Sequence, residues 1–447
     1  MSSSLLADWR DRPTHRRVWA LAAPMILSNI SVPLVALVDS TVIGHLPHAH
    51  QLGAVAVGAS LYIFLAWMMG FLRMGTTGFA AQAAGRGDGA ALRQILLQGL
   101  LLSVLLSMLL GAIAIPFSGV ALSLMQPSTE LHALTLEFFH TRLFGLPAAL
   151  ASYALVGWFL GTQNARAPLA ILLTTNLVNI ALNLWFVLGL DWGVAGSARA
   201  SVIAEWSGAL LGLWLTRGAL RRYPGKVVWA ALGMWHNWKP LLGVNRDIFI
   251  RSLMLQLVFF SITLQGARLG DATVAANALL LNGLLLAAHA LDGLAHAVEA
   301  LCGHAIGARD REALRRSMVV ACGWSLLASL GFALLFMFGG HLFVQMQTDI
   351  PVVRETAFQY LPYLALLPLI AVWSYLLDGL FIGATRAREM RNAMVISVVI
   401  AFPAAWVLHG YGNHGLWISF LLFMVLRSLT LGVYAWQMQR KNQWFGA

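Results

Sequence analysis

The chain alternates between long runs of apolar residues and short polar segments. A helix that crosses the hydrocarbon core of a membrane needs about 20 predominantly apolar residues. Twelve such runs are present, at about residues 18–44, 52–75, 94–116, 131–161, 168–190, 194–216, 241–267, 273–301, 317–340, 355–383, 392–409 and 415–437. The pattern predicts an all-α polytopic membrane protein with twelve transmembrane helices.

The composition agrees with this pattern and excludes a soluble protein. Of the 447 residues, 59% are hydrophobic and only 11% are charged, and the mean hydropathy is +0.74. The 41 glycines fit helices that pack closely in lipid. Two cysteines exclude a scaffold held together by disulfides.

The basic residues outside the predicted spans concentrate on one side of the membrane. Twenty-one Lys and Arg residues fall on that side, and only Arg268 and Arg354 fall on the other. Short loops rich in Lys and Arg stay in the cytoplasm, so we expect both termini to be cytoplasmic, in a bacterial inner membrane. This topology, together with contact to anionic lipid headgroups, explains the net charge of +11 without nucleic acid as a partner.

The two halves of the sequence match at one constant offset, the one that takes Gly85 to Gly307. The matched positions are Gly85, Asp88, Ala91, Leu92 and Arg93 with Gly307, Asp310, Ala313, Leu314 and Arg315, and Gly157, Phe159, Gly161, Ala165 and Arg166 with Gly379, Phe381, Gly383, Ala387 and Arg388. Each copy contains six spans, an even number, so both copies enter the membrane from the same side. This predicts a parallel internal repeat, related by an axis along the membrane normal.

The repeat divides the chain into an N-terminal six-helix lobe at 1–216, a basic cytoplasmic linker at 217–240 and a C-terminal six-helix lobe at 241–447. Two hinged bundles suit transport by alternating access better than they suit a channel. We therefore expect a monomeric transporter, and not an enzyme. The absence of the motifs GxxxxGKS, HExxH and GxSxG from the sequence agrees with this.

Asp39 is the clearest functional candidate, because it lies in the first span together with Pro24 and Pro33. Ionisable groups inside a membrane cost at least about 2.5 kcal/mol on insertion scales and usually have a function. A proline removes a backbone hydrogen bond and permits a helix to bend. Asp39 is therefore predicted to act as a proton or cation switch, with a permanently hydrogen-bonded carboxylate as the alternative.

The fifth span carries three amides, Asn176, Asn179 and Asn183, of which the last two are one helical turn apart. Such amides can hold a protonated acid or a polar substrate without bringing charge into lipid. The alternative is that they only join neighbouring helices by hydrogen bonds.

The eighth span carries a polar stripe on one helix face, formed by His289, Asp292, His296 and Glu299. Three interpretations remain open for it: a proton or cation path, a static network between helices, and a metal site. The other ionisable residues singled out in the spans are Asp378, Glu205, Arg251 and Arg427. The two arginines are candidates to neutralise acids of the second lobe, although the sequence does not pair them.

Several stretches resemble a known transporter family. VDSTVIGH at 38–45, followed by LGAVAVG at 52–58, is similar to the first-helix signature of the multidrug and toxic compound extrusion (MATE) family. NRDIFIR at 245–251, GARD at 307–310 and LDGLFIGATR at 377–386 resemble its DinF-type branch. The similarity covers nearly the whole chain. It implies a V-shaped pair of six-helix bundles that exports small organic compounds by antiport with H⁺ or Na⁺ and needs no bound cofactor.

The resemblance also implies roles for single residues. Asp39 matches the family's acid for cation coupling, Pro24 a proline at which the first helix bends, and Asn179 an asparagine of the fifth helix. Asn183 stands where many members have aspartate, which favours protons over sodium.

Two alternatives to an exporter remain at the level of sequence. A flippase for lipid-linked saccharides would need a cationic cavity, which the scarcity of Arg in the first lobe's spans disfavours. A membrane-embedded metalloenzyme would use the stripe from His289 to Glu299.

Overall fold

A computed structural model describes the backbone of residues 2–44, 48–124 and 128–445, with the side chains in these ranges except those of residues 2–4, 32–40, 49, 121 and 124. Every regular element in these ranges is a helix. The first half contains nine α-helices and a π-helical turn, Leu184–Gly189, directly after α8. The α-helices are α1 (Ser2–Trp9), α2 (Arg12–Gly44), α3 (Ala49–Met68), α4 (Phe71–Gly85), α5 (Gly89–Leu124), α6 (Thr129–Leu143), α7 (Leu146–Gly161), α8 (Arg166–Asn183) and α9 (Gly193–Leu220).

The second half contains seven more α-helices within the described ranges. They are α10 (Trp229–Gly233), α11 (Trp235–Arg268), α12 (Asp271–Gly307), α13 (Arg311–Gln345), α14 (Pro351–Gly383), α15 (Ala387–Leu408) and α16 (Gly412–Arg440). Short 3-10 turns at His409–Tyr411 and Gln443–Phe445 adjoin the last of these helices.

Eight segments of the described chain are long and apolar enough to cross a membrane, or nine if the bent pair α6 and α7 is one span. One of the eight, 387–440, contains both α15 and α16. Together with α2 and α9, the helices correspond to the twelve spans predicted from the sequence.

The helices pack into two units, Leu27–Leu242 and Met1–Ile26 together with Gly243–Ala447. The lobes predicted from the repeat, 1–216 and 241–447 with the linker 217–240, stay a prediction. The packing units differ from them because residues 1–26 contact the second repeat. The boundary between the units falls inside the helix α2.

Residues 1–26 are joined to the second repeat by an ion pair and by aromatic packing. Asp8, which is 3% exposed, is paired with Arg315 at 2.9 Å between the carboxylate and Nε. The ring of Trp9 lies 6.1 Å from that of Trp324, and the Trp324 indole N–H donates a hydrogen bond to His15. Asp11 then caps α2 by accepting hydrogen bonds from Thr14, which hold the pKa of the Asp11 carboxyl below its usual range.

Arg93, which matches Arg315 in the repeat, anchors a different segment. It donates hydrogen bonds to the carbonyls of Leu220 and Tyr223, at 3.1 and 2.7 Å, where the predicted linker begins. Burial is the main reason why the pKa of the Tyr223 hydroxyl is raised. Arg315 therefore holds the segment before the first span of the first repeat through a carboxylate. The matched Arg93 holds the segment before the first span of the second repeat through carbonyls.

Helices cross at short distances at matched glycines of the repeat. A Cβ placed on Gly161 would lie 2.7 Å from the Thr77 carbonyl oxygen and from the Ala81 amide nitrogen, and one on Gly383 would lie 2.5 Å from the Glu299 carbonyl oxygen. Thr77 and Glu299 are themselves matched positions of the repeat. The same backbone contact therefore joins α4 to α7 and α12 to α14, in agreement with the register of the repeat.

We expect Gly161→Ala to lower the free energy of unfolding by about 1–3 kcal/mol, because the added methyl group must push two backbones apart. Gly111→Ala, on a helix face with no atom within 4 Å of the new Cβ, is the matched control and should be neutral or slightly stabilising. Chemical unfolding in detergent micelles measures both. Equal stability of the two variants would contradict the close crossing.

Candidate functional site

The asparagines of α8 form a hydrogen-bonded series inside the unit 27–242. Asn183 donates from Nδ2 to Asn179 Oδ1 at 3.0 Å, and Asn179 donates from Nδ2 to Ser201 Oγ on α9 at 2.9 Å. Asn183 is fully buried and Asn179 is 7% exposed. Because residues four apart share a helix face, the spacing places both amides on the side of α8 that faces α9. The structure thus confirms their proximity and adds Ser201, which the sequence analysis did not identify.

Asn176 joins α8 to α2 in the same unit. Its Nδ2 donates to Ser31 Oγ at 3.0 Å, and Ser31 in turn donates to the Ser28 carbonyl. This contact lies eight residues before Asp39 on α2. The side chain of Asp39 lies outside the described residues, as does that of Pro33, so the predicted role of Asp39 stays a prediction. Pro24 is half-buried within α2, and its role in bending stays a prediction as well.

A second cluster of the unit 27–242 surrounds Glu205 on α9. Its carboxylate is paired with Arg142 of α6 at 2.9 Å and accepts hydrogen bonds from the Tyr62 hydroxyl of α3 at 3.0 Å. The Arg142 guanidinium also lies 3.9 Å from the centre of the Tyr62 ring. The side chains of Arg142 and Glu205 are only 12% and 13% exposed, so the two charges neutralise each other away from solvent.

Gly145 leaves the room that the Glu205 carboxylate occupies, since a Cβ at this position would collide with it. The sequence analysis named Glu205 but not Arg142 or Tyr62. Arg142 carried a usable signal, because it is an arginine inside a predicted span. The spacing along the chain could not show that it pairs with a residue of another helix, α9.

The corresponding cluster of the other unit brings together three residues that the sequence named separately. The Asp378 carboxylate of α14 accepts hydrogen bonds from Arg251 of α11 and Arg427 of α16. All three are buried, and Arg427 is only 2% exposed. Asp292 of α12 interacts electrostatically with Arg251, so two acids balance two arginines.

The four residues of the predicted stripe on α12 differ in how deeply they are buried. Asp292 is half-buried near the Asp378 cluster, whereas His296 and Glu299 are buried further along the helix and His289 is half-buried before it. All four have polar or electrostatic partners. Among the described residues, no three His, Cys, Asp or Glu side chains are arranged to hold a metal ion, so the metalloenzyme alternative gains no support.

Asp247, in the NRD stretch, is the acid of a third buried cluster. It is 5% exposed and paired with Arg391 of α15 at 2.7 Å and with Arg246 at 2.9 Å. Four acids that are withdrawn from solvent are thus paired with arginine: Asp8, Glu205, Asp247 and Asp378. This regular pairing indicates structural roles for these four carboxylates.

These features define a class: a multi-pass membrane transporter built from two repeated six-helix bundles. The MatE family profile matches residues 24–185 and 248–407. The chain is 42% identical over 437 residues to DNA damage-inducible protein F of Escherichia coli K12, covering 97% of this chain and 95% of that protein. The chain belongs to the MatE family, and it is a transporter and not an enzyme.

More distant relatives and solved structures agree. A probable multidrug resistance protein NorM of Xanthomonas axonopodis is 26% identical over 463 residues, covering 95% of this chain and 94% of that protein. A mutant of the Vibrio cholerae MATE transporter VcmN, with 19% identity, superposes with a TM-score of 0.85 over 97% and 99% of the two chains. A MOP superfamily transporter from Pyrococcus furiosus, with 17% identity, gives 0.84 over 97% of both. The predicted family and the fold of twelve helices in two repeated bundles are confirmed.

We expect Asp378→Asn to lower the free energy of unfolding by about 3–5 kcal/mol, because it leaves Arg251 and Arg427 buried without their carboxylate. The control is Asp349→Asn, which removes an exposed carboxylate from its pair with Arg354 and should have a small effect. Unfolding in detergent micelles measures both variants. The double variant Asp378→Asn, Arg251→Gln also removes one of the two arginines, so it should be more stable than Asp378→Asn alone. If the losses of the two single variants simply add in the double variant, the cluster is contradicted.

Proposed function

We propose that the protein exports small organic compounds, cationic or amphipathic, from the cytoplasm by antiport with protons. In this proposal it lies in the bacterial inner membrane with both termini in the cytoplasm, acts as a monomer surrounded by lipid, and needs no cofactor besides the coupling ion. The relatives named multidrug resistance protein PmpM, of Pseudomonas aeruginosa, and probable multidrug resistance protein NorM support the substrate class. The concentration of Lys and Arg on one side supports the orientation.

The observation that carries the proposal is how the acids of the unit 27–242 are distributed. Among its described side chains, Glu205 is the acid withdrawn from solvent, and Arg142 neutralises it. The other described acids of the unit, Asp88, Glu130, Glu137 and Asp191, are exposed. Asp39, which lies within the apolar sequence of α2 and five residues before its end, is therefore our candidate for the carboxyl group that gains and loses the coupling ion.

The amides of α8 support a proton as the coupling ion. Asn183 supplies a neutral amide where a second carboxylate would help to hold a metal cation, and its N–H group already occupies the Asn179 oxygen. A proton needs no such ligand set, because it binds directly to one carboxyl oxygen. The network of Asn179, Asn183 and Ser201 can then stabilise a neutral Asp39 through hydrogen bonds.

The mechanism follows from the cost of a charge in lipid. Protonation of Asp39 from outside removes a charge from an apolar span, where a charge costs at least about 2.5 kcal/mol on insertion scales. The neutral form lets α2 repack near Asn179 and Asn183 and displaces the bound substrate. Release of the proton to the cytoplasm restores the charged form, so that proton and substrate occupy one region in turn. The Asp378 cluster of the other unit keeps its charges balanced and does not take part.

A flippase for lipid-linked saccharides gains no support from the described residues. Such a protein needs free positive charge for a pyrophosphate group. Arg142 lies within the spans of the first repeat, but Glu205 neutralises it and the Tyr62 ring covers it.

We expect Asp39→Asn to reduce dye efflux driven by a proton gradient by about ten- to a hundredfold, because the amide cannot be protonated near neutral pH. The control is Asp191→Asn, the same change at an exposed position, which should keep full efflux. Proteoliposomes with equal amounts of protein and separately imposed proton and sodium gradients give the measurement. Full, pH-dependent transport by the Asp39 variant would refute the proposed coupling site.

We expect Asn183→Asp to make efflux respond to a sodium gradient, at least about fivefold, because it adds a carboxylate to the amide network. Asn176→Asp, which adds the same charge seven residues earlier beside Ser31, should give no sodium response. The same proteoliposomes serve for both variants. If the parent protein already responds to sodium and not to protons, the choice of ion proposed here is wrong.

A further inference from the structure

A partly enclosed cavity of about 540 Å³ lies at one end of the unit that contains residues 243–447. It is bounded by the beginning of α13, the end of α14 and the end of α16, and the turn Gln443–Phe445 forms part of its wall. These helix ends are at the side of the membrane where Lys and Arg concentrate in the sequence. Neither Asp247 nor Asp378 is among the residues that line it.

The cavity is fixed in place by the turn after α16. Trp444 is 6% exposed and its ring lies 5.6 Å from that of Phe381, on α14. The Gln443 carbonyl accepts a hydrogen bond from Arg386 at 2.9 Å. These contacts hold the end of the described chain against the second repeat, so the cavity is part of the folded structure.

The walls combine positive charge with apolar surface. Arg311 and Arg315 line the cavity together with Leu314, Met318 and Leu380. The carboxylate that also lines the cavity, Glu312, is paired with Arg316, and Arg315 is paired with Asp8. Arg311 has only a cation–π contact with Phe445, at 5.5 Å, within the described residues. Its charge is therefore not compensated by a carboxylate there.

Several hydrogen-bond donors that line the cavity have no acceptor among the described residues. The Trp444 indole N–H and the side-chain amides of Gln439 and Asn442 donate no hydrogen bond to any described residue, although all three line the cavity. Trp444 is more than nine-tenths buried. An anion with several acceptor oxygens would satisfy both these donors and the Arg311 guanidinium.

We propose that this cavity binds the headgroup of an anionic phospholipid. The phosphate and its neighbouring hydroxyl groups would accept from Arg311, Trp444 and the amides, and the acyl chains would lie along Leu314, Met318 and Leu380. Basic pockets between transmembrane helices bind anionic headgroups in this way. The apolar lining residues favour a lipid over a free phosphate ion, because a phosphate ion would contact only the polar lining residues. The inference does not depend on the proposed transport activity.

Binding to the purified full chain tests the proposal. We expect native mass spectrometry to show tighter binding of dioctanoyl-phosphatidylglycerol than of dioctanoyl-phosphatidylcholine. Arg311→Gln should weaken the binding of phosphatidylglycerol about fivefold, the effect of one basic residue near an anionic lipid. Trp444→Phe keeps the ring, removes the N–H group and should also weaken it.

The matched control is Arg309→Gln, which removes the same charge two residues earlier at an exposed position outside the cavity wall. It should leave the affinity within about twofold of the parent, because the Arg309 side chain does not line the cavity. Equal losses for the two arginine variants, or no loss for Arg311→Gln, would overturn the proposal. Inorganic phosphate that displaces the lipid at the same concentration would also overturn it, in favour of a free phosphate site. Unchanged unfolding temperatures establish that all three variants are folded.

Discussion

A charge withdrawn from water must meet an opposite charge, and this constraint organises the interior of both units. Glu205 meets Arg142, Asp378 meets Arg251 and Arg427, and Asp8 meets Arg315. Each pair joins helices that are far apart in the sequence, so it also specifies which helices pack together. A buried pair adds little net stability compared with apolar packing, but removing one partner is costly. The pairs therefore act mainly by excluding other arrangements of the helices.

One matched position carries a negative charge in the first repeat and a positive charge in the second, and both charges are withdrawn from solvent. Glu205 and Arg427 are equivalent positions of the repeat, in the last helix of their respective copies. Each interacts electrostatically with a matched tyrosine, Tyr153 or Tyr375. Because the charge at this position differs in sign, its partner differs as well: Arg142 pairs with Glu205, whereas Asp378 pairs with Arg427. The positions that match Arg142 and Asp378 in the other repeat are uncharged. The glycine crossings, by contrast, kept both their positions and their contacts, because they depend on the backbone alone.

The sequence was sufficient for those features that depend on local composition or on the repeat. Apolar runs predicted the spans, and the constant offset between the halves matched Gly161 with Gly383, although only the structure shows that helices cross at these positions. It was insufficient for the partners of the buried charges: Arg251, Arg427 and Asp378 were recognised one by one, but their pairing depends on how three helices cross. The docking of residues 1–26 on the second repeat was missed for the same reason. Asp8 and Trp9 lie outside any span, and nothing near them in the sequence points to Arg315 or Trp324.

The distribution of neutral and charged polar groups gives the two units different chemical capacities. The amide network of Asn179, Asn183 and Ser201 has no charge of its own, so it contains no fixed charge that would hold a nearby carboxyl group in one protonation state. In the Asp378 cluster, two arginines share the carboxylate, and Asp292 compensates the remaining charge. The carboxyl group that we propose for proton exchange, Asp39 of α2, therefore belongs to the same unit as the neutral amide network, whereas two arginines hold the acid of α14.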